Sequence, residues 1–307
     1  MIKFFTKPGI IIQGPLISKG RVPRSESIKI PDLKETDVVE FNCVDQIIEI
    51  CEKYSKNFPI VIATWQTEDK RLISRLEKIK DINVSIILLE DITPKIPSVG
   101  GVVSGNHKFR QIYSTLKGAQ KLLSFDCTHL IKLRTDMSID VDTLWKDFKE
   151  ISSSRPVKLL VPSFSLDGPS QVPDIYYVCK IKDLINFFPE LLSKKHWFFS
   201  IHNELFYRWL NKEKRMLKPV VKVFGDTSVL VNIYVYAWNF FFAPASYKVF
   251  KSITWRGEKY PVNYVSENIF YDFFKNNNVI NKKTFNLQSF SSKVYKKFLK
   301  LFNNSIK

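Results

Sequence analysis

Between Thr128 and Asp140 the sequence THLIKLRTDMSID places Lys132, Arg134 and Asp136 at every second position of an otherwise apolar stretch. Residues two apart on a strand share a face, so two cations and a carboxylate line one side of it. Charge in a core strand is costly unless it is paired, hydrated at the strand's end or turned towards a ligand. This row carries excess positive charge, which a phosphate would satisfy; Lys132, deeper in the strand, also suits an internal ion pair. Other polar side chains are spaced to join it. Asn106 and Arg110 lie four apart on one face of a helical stretch, with Gln111 beside them, and a helix N-terminus with a guanidinium suits an anion. Gln13, Gly14 and Pro15 close one apolar run, and Thr64 and Trp65 close another. Gln13 is placed to read a nucleobase edge, and Trp65 either walls the base or fills the core.

The elements that must position these residues follow from hydrophobic period. Apolar runs predict strands at 9–16, 58–65, 83–91, 128–136 and 157–164, and helix-period stretches lie between them at 45–56, 68–80, 106–124 and 142–151. The order βαβαβαβ with continuously apolar strands predicts an α/β fold: a Rossmann-like, mainly parallel sheet flanked by helices. Ligands of such sheets bind at the carboxyl ends of the strands, where Gln13, Gly14, Pro15, Thr64, Trp65, Arg134 and Asp136 converge. Neither GxGxxG nor GK[ST] occurs, so a nucleotide must be held another way. Beyond Phe164 the pattern loosens into a loop at 163–174, helices at 181–192 and 201–212, and a C-terminal helical extension.

Lys and Arg outnumber Asp and Glu by 47 to 30, a formal charge of +17 that favours an anionic partner. Residues 273–307 contain no acid and eight lysines, and 291–307 forms a basic amphipathic pattern suited to an anionic membrane surface or to docking on the core. Four scattered cysteines and four scattered histidines lack metal-ligand spacing. No signal-peptide core opens the chain, and the apolar run 229–243 is short for a span and holds Asn232 and Asn239. These features predict a cytoplasmic protein, peripheral at the inner face of the membrane if the tail binds lipid.

Four motifs in order, IIIQGPL, IVIATW, NHKFRQIYSTLKGAQKLL and HLIKLRTD, resemble the WavE family of lipopolysaccharide synthesis proteins, bacterial glycosyltransferases with a GT-A-like fold. The resemblance implies a catalytic domain over 1–272, with a nucleotide-sugar-binding half at 1–140 and an acceptor-side half at 141–272, followed by the tail at 273–307. It implies an inverting transferase moving a sugar from a nucleotide-sugar donor to a lipid-linked lipopolysaccharide or other surface-glycan acceptor. The donor would be bound by Gln13, Gly14, Pro15, Thr64, Trp65, Asn106, Arg110, Gln111, Lys132 and Arg134. In GT-A enzymes a DxD element holds a divalent cation on the donor's phosphates. Here RTD takes that place, so Asp136 would contact Mg²⁺ or Mn²⁺ or a sugar hydroxyl, and Arg134 could neutralise the phosphate without a metal. Inversion needs a base; Glu204 is the candidate on a predicted helix, with Asp167, Asp174 and His202 behind it.

Two other readings compete. A sugar nucleotidyltransferase could use a similar sheet, although QGPLISKGR lacks the extended Gly-rich, basic loop such enzymes usually show. A basic nucleic-acid-binding or non-catalytic protein fits the charge, but the charge gathers in the tail and no recognition motif accompanies it, so no nucleic-acid partner is expected.

Overall fold

The computed structural model describes residues 7–21, 38–79, 81–92, 105–155, 157–163, 175–192, 242–260 and 264–266. In chain order the strands are β1 (Pro8–Gln13), β2 (Ile17–Arg21), β3 (Val38–Asn42), β4 (Ile60–Trp65), β5 (Val84–Leu89) and β6 (His129–Arg134). They continue with β7 (Met137–Ser138), β8 (Leu159–Val161), β9 (Tyr177–Lys180), β10 (Phe242–Pro244), β11 (Thr254–Trp255) and β12 (Glu258–Lys259). The helices are α1 (Val44–Tyr54), α2 (Lys70–Leu76), α3 (Gly105–Leu123), α4 (Val141–Ser154), α5 (Ile181–Leu192) and α6 (Tyr247–Lys251).

Seven strands form one sheet in the order β10-β8-β9-β6-β1-β4-β5. Its central members β6, β1, β4 and β5 pair in parallel. Every residue of β4 is buried, as is every residue of β1 after Pro8. Burial on both faces is why these strands read as unbroken apolar runs. The fold is therefore the α/β, Rossmann-like sheet that the periodicity predicts, with one insertion: β9 enters antiparallel between β6 and β8. The apolar run 229–243 ends in β10, a buried strand parallel to β8; its residues 229–241 lie outside the described set, as do the predicted helix 201–212 and the tail 273–307. Among the described residues no helix is long and apolar enough to cross a membrane.

Alternation along the strands sorts the two layers. Ile10, Ile12, Ile60, Ile62, Ile131 and Leu133 join Ile47, Ile50 and Tyr54 of α1 and Leu144 and Phe148 of α4 in one core. The opposite face meets α3, whose Gly118 rests on β1: a Cβ there would come within 2.8 Å of Ile11 Cγ2. His129 belongs to the first layer, its ring centroid 5.6 Å from that of Trp145 and 5.4 Å from that of Phe148. Burial, helped by the charge of Lys180, pushes its pKa down to about 4. It is a neutral core residue.

From β1 the chain moves outward to β4 and β5, then returns to place β6 on the other flank of β1. The strand order thus reverses between β1 and β6, and the crevice at their carboxyl ends is where an open α/β sheet takes its ligand.

Candidate anion-binding site at the strand switch point

The crevice is closed at its base by Gly14. The Gly14 N–H donates to the Ala63 carbonyl oxygen at 3.2 Å, and the Thr135 N–H donates to the Gln13 carbonyl oxygen at 3.1 Å. These bonds extend the pairing of β1 past its last residue on both sides. Gly14 has φ +136°, and a Cβ at this position would lie 2.7 Å from Thr135 Oγ1. A side chain there would be strained by its backbone and would push the ends of β1 and β6 apart.

Asp136, at the end of β6, is a buried hub. Arg134 donates to it twice, Nε to Oδ1 at 2.8 Å and Nη2 to Oδ2 at 2.9 Å. Oδ2 also accepts from the Ser18 hydroxyl at 2.7 Å and from Trp255 Nε1 at 3.0 Å, and Arg256 Nε lies 3.5 Å away. The last two partners arrive through a small sheet, β12-β11-β7, whose hairpin turns on Arg256 (φ +53°) and Gly257 (φ +80°). Its register is fixed by the Arg256 N–H, which donates to the Asp136 carbonyl oxygen at 2.8 Å. Burial disfavours the ionised carboxyl, but the Arg134 charge and the hydrogen bonds from Arg134, Ser18 and Trp255 outweigh it and hold the pKa down at about 2. The carboxylate is ionised, 1% exposed and occupied on both oxygens. A cation could reach it only by displacing these donors. In place of the predicted metal or sugar contact, Asp136 ties β2, β6 and β11 together. Among the described residues no group of three or more His, Cys, Asp or Glu side chains is placed to hold a metal ion.

The open part of the crevice lies over β1 and β4. Glu68, in the turn after β4, is half-buried and accepts the Leu16 N–H at Oε2, 3.0 Å away. The Ile17 amide and the Arg110 charge also favour its ionised form. Arg110 reaches in from α3, its guanidinium carbon 5.6 Å from the Trp65 ring centroid, and is paired with Asp91. Arg110 Nε is buried and finds no acceptor among the described residues. Thr64 is fully buried and its hydroxyl likewise has no partner among them. The Leu16 amide therefore holds one anion just past the end of β1, with the Ile17 amide and the Arg110 charge acting on the same group, a combination of donors suited to phosphate. In this state that anion is the protein's own carboxylate.

The remaining sequence candidates divide. Trp65, Arg110, Gly14 and Pro15 sit at this edge, Pro15 exposed and Trp65 6% exposed. Gln13 is buried, with the Ser114 hydroxyl 2.8 Å from its Oε1, so it anchors α3 to β1 instead of presenting a free amide to a base. Lys132 is fully buried, donates to the Ile175 carbonyl oxygen at 3.3 Å and lies 5.5 Å from the Tyr177 ring centroid. It serves the junction with β9, not the open edge. Gln111 lies on α3 beside Arg110, and its carbonyl oxygen accepts the Thr115 hydroxyl. The side chain of Asn106, and Asp167, Asp174, His202 and Glu204, lie outside the described residues. Glu68 escaped the sequence reading because a helix spanning 68–80 makes it one more acid at a helix start. The available signal was Asp69, whose side chain accepts the Arg71 N–H as the N-cap of α2; a cap at Asp69 leaves Glu68 in the preceding turn.

No protein-family model matches the chain, and no curated protein matches it by sequence. Its fold is similar to that of a cytidylyltransferase from Leptospira borgpetersenii serovar Hardjo-bovis (14% identity, 90% of this chain and 98% of that chain, TM-score 0.40). It is also similar to 4-diphosphocytidyl-2C-methyl-D-erythritol synthase from Anaerococcus prevotii (10% identity, 88% and 99%, TM-score 0.39). A third is a protein assigned as a glucose-1-phosphate thymidylyltransferase from Bacillus anthracis (10% identity, 90% and 96%, TM-score 0.36). At such scores likeness assigns no activity, and the chemistry has to come from this chain's own residues. The predicted sugar transfer to lipopolysaccharide or another surface glycan is nevertheless corrected. The carboxylate that was to hold the donor's metal is taken up by protein donors, and the structures named above are cytidylyl- and thymidylyltransferases by name. What stands is an α/β, Rossmann-like chain with a ready-made anion nest at its strand switch point.

Proposed function

We propose that the chain is a sugar nucleotidyltransferase, which binds a nucleoside triphosphate at the carboxyl ends of β1, β4 and β6. It passes the nucleotidyl group to a sugar phosphate and releases pyrophosphate. The observation that carries this reading is the Glu68 carboxylate held by the Leu16 amide, on which the Ile17 amide and the Arg110 charge also act. A triphosphate presents the anionic oxygens such a nest binds, and its transfer chemistry depends mainly on alignment and charge neutralisation. The attacking group is itself a phosphate monoester, largely ionised at neutral pH because its second pKa is about 6. This reaction therefore needs no carboxylate to activate a hydroxyl, the role for which Glu204 was singled out.

The chief ground against this reading was the lack of a long basic loop after β1. In the structure β1 does not run straight into a helix: β2 follows it at Ile17–Arg21, and β3 at Val38–Asn42 precedes α1. Lys19, Arg21 and Arg24 all precede the first acid after β1, Glu26. Likeness to the WavE family rests on the four motifs alone and adds no activity to this reading.

Arg110→Ala is expected to weaken binding of the preferred nucleoside triphosphate by about 10- to 100-fold, the range for losing a charged hydrogen-bonding partner. Isothermal titration of the full chain checks this. Equal affinity in the variant and the parent would remove Arg110 from the site.

A further inference from the structure

We propose that Glu68 is a built-in stand-in for a substrate phosphate: its carboxylate fills the Leu16–Ile17 amide nest in the empty protein, and an arriving polyphosphate displaces it. This rests on the nucleotide-binding reading above and adds to it that the site is self-occupied, so that binding begins with an exchange of anions. The geometry is specific. Oε2 of Glu68 lies 3.0 Å from the Leu16 nitrogen, 52 residues away in sequence, and the Ile17 amide favours the ionised form of the same carboxylate. Arg110 acts on it through charge while its own ion pair is with Asp91. Its buried Nε remains without an acceptor among the described residues. A larger anion with several oxygens could take the two amides and that donor together, which one carboxylate does not.

A purely structural role fits less well. Burial raises the Glu68 pKa above its ordinary value despite the Leu16 and Ile17 hydrogen bonds and the Arg110 charge, which act in the opposite direction. The fold thus disfavours the ionised form. A group raised in this way withdraws stability as pH climbs through its folded pKa. Glu68 is also in a turn, free of the helix that begins at Lys70, so it can leave the nest without unwinding α2.

The test titrates the full chain with inorganic tripolyphosphate and with the preferred nucleoside triphosphate, in the parent, Glu68→Gln, Glu68→Ala and Arg110→Ala. A ligand that must first expel an internal competitor has its affinity reduced by the unoccupied fraction of the site, so a site about one-tenth free binds about tenfold more weakly. Both Glu68 variants are therefore expected to bind tripolyphosphate about tenfold tighter than the parent, while Arg110→Ala binds more weakly. Glu68→Gln keeps an oxygen for the Leu16 amide and so remains informative if the alanine variant folds poorly. Equal or weaker binding by the Glu68 variants overturns the stand-in and leaves the nucleotide site intact. A gain that extends equally to the uncharged nucleoside also overturns it, because removing a competing anion should help only anions. If neither the parent nor any variant binds tripolyphosphate or a triphosphate, the nucleotide reading itself falls, and this proposal with it.

Discussion

Asp136→Asn is expected to lower the free energy of unfolding by about 3 kcal/mol, the lower end of the range for breaking a buried charge pair. The amide keeps the shape but loses the charge and half of the acceptor capacity. It would face four hydrogen-bond donors, two from Arg134 and one each from Ser18 and Trp255, with the Arg256 guanidinium 3.5 Å away. The lower end applies because the Arg134 side chain is 36% exposed and can turn to water, whereas that of Arg256 is 11% exposed and cannot readily do so. The pH dependence supplies an independent figure. The Asp136 pKa falls from 3.8 to about 2 on folding, a gap worth about 2.5 kcal/mol at 1.36 kcal/mol for each pH unit. Because the folded pKa is depressed, that stability is present above pH 3.8 and is lost as pH falls through about 2. Urea unfolding between these limits should therefore slope in the parent and flatten in Asp136→Asn. A loss below about 1 kcal/mol would show that the hub holds little together.

Gly14→Ala is expected to cost about 3 kcal/mol and to remove most nucleotide affinity. Two effects add: a residue with a Cβ is strained at φ +136° by about 1–3 kcal/mol, and its Cβ would collide with Thr135 Oγ1 at 2.7 Å. They can be separated. Thr135 Cβ itself would stand at an ordinary 3.7 Å, so adding Thr135→Ala should relieve the collision and leave the backbone strain. The double variant should regain roughly half of the loss. Full recovery would mean that the φ value costs nothing, and no recovery would mean that the collision is relieved elsewhere. Affinity should follow stability only in part, since any residual shift of β1 against β6 moves the Leu16 and Ile17 amides.

How far this architecture shows in the sequence depends on how local its causes are. The strands β1, β4, β5 and β6 announce themselves because central strands of a parallel sheet must be apolar through their length. Helix α5 was predicted at its observed bounds, Ile181–Leu192, from its apolar period. By contrast, β9 is four residues, Tyr177–Lys180, and its place between β6 and β8 is decided by partners far along the chain. Of the row Lys132, Arg134 and Asp136, the last two pair, with Asp136 just beyond the end of β6 at Arg134. What that row could not disclose is that Asp136 is claimed by Ser18, 118 residues before it, and by Trp255, 119 residues after it. A carboxylate that looked available for a metal is thereby consumed in tertiary structure. Glu68 is the converse: nothing in the helix-start pattern QTEDK (66–70) marks an acid as the partner of a distant backbone amide, and only the turn geometry does.

The central claim is nucleotidyl transfer, and pyrophosphate release tests it most directly. The full chain is mixed with ATP, CTP, GTP, TTP or UTP and a panel of sugar 1-phosphates, and pyrophosphate and nucleotide sugar are measured together. The proposal predicts that at least one pair yields both products in equal amounts, with loss of both in Arg110→Ala. No pyrophosphate from any pair, together with release of a nucleoside diphosphate from a nucleotide sugar, would contradict it.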